Sequence, residues 1–382
     1  MRLLNTESLE LEEFFDSNAP QYAILSHTWG KEEISFFEMQ APNEATRSKT
    51  GFQKIVNFCA LAKRRGFKYG WADSCCIDKR SSAELSEAIN TMYRYYYDAE
   101  ECLVYLADVP SNFDGFIDRD GQLAAVQSSR WFGRGWTLQE LIAPKERHFF
   151  AEDWSLIDIG DDLNWILSDI TSINVKVLHN RDTISDFCVA QRMSWASRRQ
   201  TTRSEDMAYS RMGLFNVNMP VIYGEGAVKA FRRLQNEIMQ TSFDQTIFAW
   251  AANCESSGLL ASSPADFYYT PPLGLWHPSN LSPFTMTNVG LSIRLNMIER
   301  DEEVGGSRIA RSVAALQCDV KIGDSWKILM VHLQPVGNAR FVVNGKQCQA
   351  YRRIRCDEWF PVEGRELEGW PYKHVLVLKD EH

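Results

Sequence analysis

The stretch 21-QYAILSHTW-29 decides how the first half of this 382-residue chain is read. An apolar run ends there in Ser26, His27 and Thr28, and Gly30 follows Trp29, so the segment reads as a strand that stops at a polar edge and turns tightly. Working outward, 51-GFQKIVNFCALAKRRG-66 sets Phe52, Ile55, Val56, Cys59, Ala60 and Ala62 at helical spacing. Lys54, Lys63, Arg64 and Arg65 give that helix a wet side. Next come 67-FKYGWADS-74 as a strand, 83-AELSEAINTMYRYYYDA-99 as a helix and 102-CLVYLADV-109 as a strand. Strand, helix, strand, helix, strand is the signature of an α/β layer built on a parallel sheet. The turn-rich 110-PSNFDGFIDRDGQ-122 reads as a loop leading into a helix that carries 131-WFGRGWTLQEL-141.

Farther along, 185-SDFCVAQRMSWASRR-199 and 225-EGAVKAFRRLQNEIMQT-241 are the clearest helical patterns. The segment 270-TPPLGLWHPSN-280 reads as a linker. Alternating runs at 289-VGLSIRL-295, 313-VAALQCDV-320, 326-WKILMVHLQPV-336, 339-ARFVVNG-345 and 374-HVLVLK-379 read as strands. The expected organisation is an α/β domain over residues 1–182, a helical extension over 183–245 and a β-rich domain over 255–382.

Composition narrows the function classes. With 45% hydrophobic and 24% charged residues, most of the chain is expected to fold. A net charge of -9 and basic pairs scattered at 63–65, 198–199, 232–233 and 352–353 leave no footprint for nucleic acid. No run of 18 apolar residues exists, and 1-MRLLNTESLELEEFF-15 turns acidic at once, so the expectation is a cytosolic protein with neither a membrane span nor a secretory signal. Nine Cys without a paired CxxC arrangement point to reduced thiols, and no metal site is expected. Phosphate-loop and dinucleotide fingerprints are absent, and no cofactor is expected.

Ligands of α/β layers sit beyond the carboxyl ends of the strands. Three segments end there: Ser26, His27, Trp29 and Gly30 after the first strand; Asp73, Ser74 and Cys76 after the second; and Arg134, Trp136 and Glu140 in the motif after the third. Together they would make a pocket of a few placed polar groups in an apolar wall, fit for a small molecule. Each has a plainer role as well. The tryptophans suit a core, Asp73 and Ser74 suit a helix cap, and free Cys is usually a small buried hydrophobe. Glu140 lies among Leu138, Leu141 and Ile142, so its carboxylate must pair with Arg134 or Arg130 or face a cleft.

The blocks 22-YAILSHTWG-30, 69-YGWADSCCIDK-79 and 133-GRGWTLQELIAP-144 resemble the three signature blocks of the fungal heterokaryon-incompatibility (HET) domain. The later 201-TTRSEDMAYSRMGLFNVNMPVIYGEGAVKAFRRLQNEI-238 resembles the segment that follows this domain in many such proteins. The resemblance implies a role in the cell death that follows fusion of genetically different fungal cells, with self-association and an incompatibility partner protein. The family often adds a nucleotide-binding oligomerisation module and a repeat sensor, neither of which is read in this sequence. A fainter similarity is to TIR domains, which have a flavodoxin-like layer and, in several branches, cleave NAD⁺ at the nicotinamide–ribose bond with one Glu. Here 136-WTLQEL-141 matches the plant S-x-W-C-L-x-E-L motif, with Thr137 where Cys stands, and Glu140 corresponds to the catalytic Glu. That resemblance implies an NAD⁺-cleaving effector with NAD⁺ as substrate. Two alternatives stay open: a non-catalytic module that acts by assembly, and a tailoring or hydrolytic enzyme using Ser26, His27, Asp73 and Cys76.

Overall fold

Tyr22–His27 is enclosed at every position, as a strand in the middle of a layer must be. A computed structural model describes the chain apart from residues 16–17, 112–118, 158–162, 269, 271, 276–281, 305–306, 344, 358–359 and 380–382. Of the expected loop at 110–122, residues 112–118 lie outside the described residues, and from Arg119 the chain is helical instead. Of the expected linker at 270–280, residues 271 and 276–280 lie outside, and Leu273–Leu275 is a strand, held by its pairing with residues 318–320. The chain forms two compact units, Met1–Ile184 with Arg199–Tyr223, and Ser185–Arg198 with Gly224–His382.

The first unit is built on strands β1 (Arg2–Asn5), β2 (Leu11–Glu13), β3 (Tyr22–His27), β4 (Tyr69–Trp71), β5 (Glu101–Tyr105) and β6 (Arg147–Phe150). Its helices are α1 (Phe36–Gln40), α2 (Glu44–Arg47), α3 (Thr50–Arg64), α4 (Asp73–Cys76), α5 (Ser82–Asp98), α6 (Arg119–Gln127), α7 (Thr137–Ile142), α8 (Leu163–Thr171) and α9 (Val175–His179). The sheet order is β2-β1-β4-β3-β5-β6. β1 is antiparallel to both of its neighbours, whereas β3 to β6 pair in parallel. From β3 the chain steps outward to β4, then returns past β3 to β5. The order therefore reverses between β3 and β5, where Ser26 faces Val104 and His27 faces Tyr105 in register. That reversal is where the carboxyl ends of such a layer open a crevice.

Local chemistry accounts for the elements around it. Ser81 caps α5 by accepting the Glu84 N–H, and the helix buries Ala88, Ile89, Met92, Tyr95 and Tyr96. α3 buries Phe52, Ile55, Phe58, Cys59, Leu61 and Ala62. Of the residues expected inside, Val56 is half-buried and Ala60 is exposed, because the inward stripe is turned toward Phe58 and Leu61. The expected helix through 131–141 is broken: Arg130–Gly133 is a 3-10 turn and only Thr137–Ile142 is α-helical. Gly135 stands at the break, and a Cβ there would meet Thr201 Cγ2 at 2.4 Å. The bare backbone instead trades hydrogen bonds with Gln200, Gly135 N to Gln200 O and Gln200 N to Gly133 O, both at 2.8 Å. This pairing draws the segment from Arg199 onto the start of α7. The last helix of this unit is α11 (Asp206–Tyr209), after α10 (Val189–Ser194), which belongs to the second unit.

The second unit also holds α12 (Ala227–Thr241) and strands β7 (Ser256–Ser257), β8 (Leu273–Leu275), β9 (Thr285–Met286), β10 (Gly290–Val304), β11 (Ser307–Ile322), β12 (Ser325–Val343), β13 (Lys346–Ile354), β14 (Phe360–Val362) and β15 (Tyr372–Leu378). Pairings run β10-β11-β12-β13-β15 and back to β10, a closed, barrel-like sheet in which β13 and β15 are parallel. Residues 339–345, expected as a separate strand, continue β12 as far as Val343 and pair with β13 in a long hairpin. On β10, Leu291, Ile293, Leu295 and Met297 are buried on one side; on the other, Arg294 is exposed while Ser292 is buried against His374. β11 is buried through Ser312–Cys318, and its Val313 and Ala315 pack with Ile328, Met330, Val362 and Leu367. The architecture is thus mixed α/β, a sheet with helices in the N-terminal part and a β-rich C-terminal part.

Candidate functional site

All six residues of α7 are buried, so the helix has no wet face and the Glu140 carboxyl has to be satisfied inside. Ser26, the last-but-one residue of β3, does this: its hydroxyl donates to Glu140 Oε2 at 2.5 Å and accepts from Trp131 Nε1 at 2.8 Å. An indole N–H only donates, so the Ser26 proton is committed to Glu140. Neither Arg130 nor Arg134 forms an ion pair with this carboxylate; Arg130 pairs with Asp108 at 3.2 Å. Glu140 is 8% exposed. Burial pushes its carboxyl up to about 8, helped by the charge of Asp73 and opposed by the Ser26 hydrogen bond, Arg134 and the Tyr96 hydroxyl.

His27 follows Ser26 and so points to the other face of the sheet. Its side chain is buried, with Nε2 3.6 Å from Glu33 Oε2 and 3.9 Å from Asp73 Oδ1, and neither ring nitrogen has a hydrogen-bond partner. Burial, then the nearby Lys54, hold it below its ordinary value and favour the neutral ring. Glu33 is pulled down to about 2 against the cost of its own burial, by His27 and by the ion pair with Lys54. The same Glu33 accepts the Gly30 N–H at 2.6 Å, which fixes the turn after β3. Beyond it, Trp29 donates Nε1–H to both Asp73 oxygens at 3.2 and 3.0 Å. Lys79 Nζ lies over the Trp29 ring, 3.6 Å from its centroid.

The ten residues singled out from sequence thus fall into separate groups. Ser26 and Glu140 touch, with Arg134 within electrostatic reach; His27, Trp29, Gly30 and Asp73 gather around Glu33 and Lys79. Trp136 stands apart, donating to Asp206 Oδ2 at 3.0 Å. Ser74 is buried in α4, and the Cys76 sulfur accepts the Ala72 N–H at 3.4 Å. The adjoining Cys76, then burial, drive the Cys75 thiol far above its ordinary value. Sequence reasoning missed Glu33, Lys54, Lys79, Tyr96 and Arg199. Arg199 is the least readable, since only the Gly135–Gln200 pairing brings it to α7. There its Nη1 donates to Thr137 Oγ1 at 2.8 Å and Arg134 O at 3.0 Å, and burial lowers the guanidinium to about 10.

Two cavities lie elsewhere in this unit. One, of about 310 Å³, is lined by Trp71, Cys76, Glu84 and Tyr95 among others, and one of about 220 Å³ by Tyr22, Arg94 and Glu100 among others; Ser26, His27, Asp73 and Glu140 line neither. Among the described residues no group of three or more His, Cys, Asp or Glu is placed to hold a metal ion, and no helix is long and apolar enough to cross a membrane.

Comparison with known proteins gives the geometry a family. Residues 22–119 match the model of the heterokaryon incompatibility protein (HET) family, and residues 229–274 match a domain of unknown function (DUF8212). The first match takes in β3, β4 and β5 and stops before Glu140. The chain is also 48% identical over 225 residues to the vegetative incompatibility protein HET-E-1 of Podospora anserina, covering 57% of this chain and 16% of that protein. The chain therefore spans less than a fifth of that relative. No solved structure is significantly similar. These matches identify residues 22–119, with the strand ends at Ser26 and Asp73, as a heterokaryon incompatibility (HET) domain.

Proposed function

We propose that the chain is a cytoplasmic effector of fungal incompatibility or defence that cleaves NAD⁺ at the nicotinamide–ribose bond, with Glu140 as the catalytic carboxylate. One observation carries the reading: a buried carboxyl, aimed by a directed hydrogen-bond chain from Trp131 through Ser26, stands at the carboxyl end of β3 where the strand order reverses. The parallel strands follow the second-first-third-fourth order of flavodoxin-like layers, which supports the TIR-like part of the reading. In the reaction the C–N bond breaks and its electron pair goes to the pyridinium ring, so nicotinamide leaves neutral without a general acid. Ionised Glu140 stabilises the oxocarbenium-like ribose, and water then adds at the anomeric carbon and loses a proton. The cationic ring itself favours ionisation of a carboxyl that burial otherwise keeps protonated. Death would follow from NAD⁺ depletion, with self-association or an incompatibility partner as trigger.

The test is purified full chain with NAD⁺, followed by free nicotinamide. Turnover by wild type and a fall of ~100-fold or more in Glu140→Gln support the reading; equal rates, or no wild-type turnover at any protein concentration, reject it. A second reading is favoured by the enclosure of Glu140 and by its absence from the lining of both cavities: α7 is structural, and the domain acts by assembly alone. Assembly-dependent toxicity that survives Glu140→Gln would establish it. The thiol-based hydrolytic alternative is weaker, because the Cys76 sulfur is buried and already accepts the Ala72 N–H.

A further inference from the structure

Trp29 differs from the other tryptophans near the strand ends. Trp71 and Trp131 are core, and Trp136 is half-buried with its N–H committed to Asp206, whereas Trp29 is 42% exposed. It is nonetheless held at two points. The Asp73 carboxylate receives its N–H through both oxygens, and Lys79 Nζ sits 3.6 Å from the ring centroid and 3.8 Å from Asp73 Oδ2. Lys79 covers one side of the indole, and the residue still keeps a large exposed area. A flat aromatic surface fixed in this way just beyond the carboxyl end of a parallel strand, where such layers take their ligands, loses little freedom when a second ring is laid on it. Beside it, His27 offers two buried ring nitrogens with no hydrogen-bond partner.

The geometry points to Trp29 as a stacking platform for a neutral nucleobase, so that a dinucleotide would seat its adenine there and turn its nicotinamide end toward Glu140. This rests on the NAD⁺ reading of the site and fixes the direction in which the substrate lies. The reason is the cation already in place. The ammonium of Lys79 is drawn to the negative face of the indole, and a pyridinium on the opposite face would meet that positive charge through the ring, roughly 7 Å away. Adenine is neutral near pH 7 and stacks by area and dispersion without that repulsion. Asp73 links the two ends, for it grips Trp29 and its charge is felt at Glu140.

The experiment is calorimetric binding of AMP, ADP-ribose and nicotinamide mononucleotide to the full chain carrying Glu140→Gln, which keeps ligand intact. The expected result is that Trp29→Ala weakens AMP and ADP-ribose about tenfold or more, the usual loss for a base–aromatic stack, and leaves nicotinamide mononucleotide unchanged. Lys79→Met should raise nicotinamide mononucleotide affinity relative to AMP, and this arm stands even where Trp29→Ala fails to fold. Unchanged AMP binding in Trp29→Ala, an equal loss for both mononucleotides, or a change confined to self-association would overturn the assignment, as would Lys79→Met with no effect on the ratio. Nicotinamide release by the unsubstituted chain is scored separately. Trp29-dependent AMP binding without turnover rejects the catalytic reading alone, and turnover with Trp29-independent binding rejects the platform alone.

Discussion

Glu140→Gln should flatten the pH dependence of stability, whether or not the protein is an enzyme. The carboxyl moves from an ordinary 4.5 to about 8 on folding, so the native state holds a proton that the unfolded chain releases. Its stabilising contribution is complete below pH 4.5 and is lost as pH rises through 8. The full span, 3.5 pH units at 1.36 kcal/mol each, is about 5 kcal/mol, of which about 2.5 kcal/mol falls between pH 6 and 9. Gln accepts the same Ser26 hydrogen bond and carries no proton to lose. For a unit of roughly 200 residues, 1 kcal/mol moves the midpoint by about 2–4 °C, so wild type should fall roughly 5–10 °C further than Glu140→Gln over that range. Thermal melts followed by circular dichroism at pH 6, 7, 8 and 9 give the comparison. Parallel curves for the two proteins would mean that Glu140 is ionised in the native state and that burial does not control its proton.

Other consequences are as definite. If ionised Glu140 acts on NAD⁺, kcat/KM for nicotinamide release rises with pH and levels off above about 8, and a profile flat from pH 6 to 9 would contradict this. Ser26→Ala removes the hydrogen bond that favours ionisation and orphans the Trp131 N–H. It should move that profile to higher pH and cost about 1–3 kcal/mol in denaturant melts. Gly135→Ala puts a methyl into Thr201, so about 1–3 kcal/mol should be lost, with faster amide exchange at Gln200. With native protein, iodoacetamide should label Cys254 first, the one cysteine that is not buried, and the buried Cys75 and Cys76 far more slowly. Rapid alkylation of Cys76 would revive the thiol reading.

The strands β3 and β5 and the helices α3 and α5 were legible because each apolar run is long enough to show its period and is bounded by polar or turn residues. The short helices α1, α2 and α4 were not foreseen, and the strand expected over 67–74 narrows to Tyr69–Trp71. The three short strands Arg2–Asn5, Leu11–Glu13 and Arg147–Phe150 were not legible either, since three or four residues give no period and two of them carry charges along a sheet edge. The candidate site was readable as residue types at strand ends and unreadable as contacts. Alternation along β3 sends Ser26 and His27 to opposite faces, which split one imagined pocket in two. Glu33, Lys54, Lys79 and Arg199 were invisible for a related reason. Their importance comes from what the fold brings beside them, and the pairing at Gly135 crosses more than sixty positions of sequence.

The closed sheet of the C-terminal unit obeys a parity rule. Strands that alternate in direction around a ring must be even in number, so a ring of five has to contain a neighbouring pair that runs the same way, and here that pair is β13 and β15. Same-direction neighbours cannot be joined by a tight turn and need a connection that travels the length of the strand. The chain between Ile354 and Tyr372 makes that return, and its described part lays β14 against β12 on the way. This stretch is therefore a strut and not a dispensable surface loop. Shortening it would uncouple β13 from β15 and leave two rows of unpaired backbone groups open to strands of other molecules.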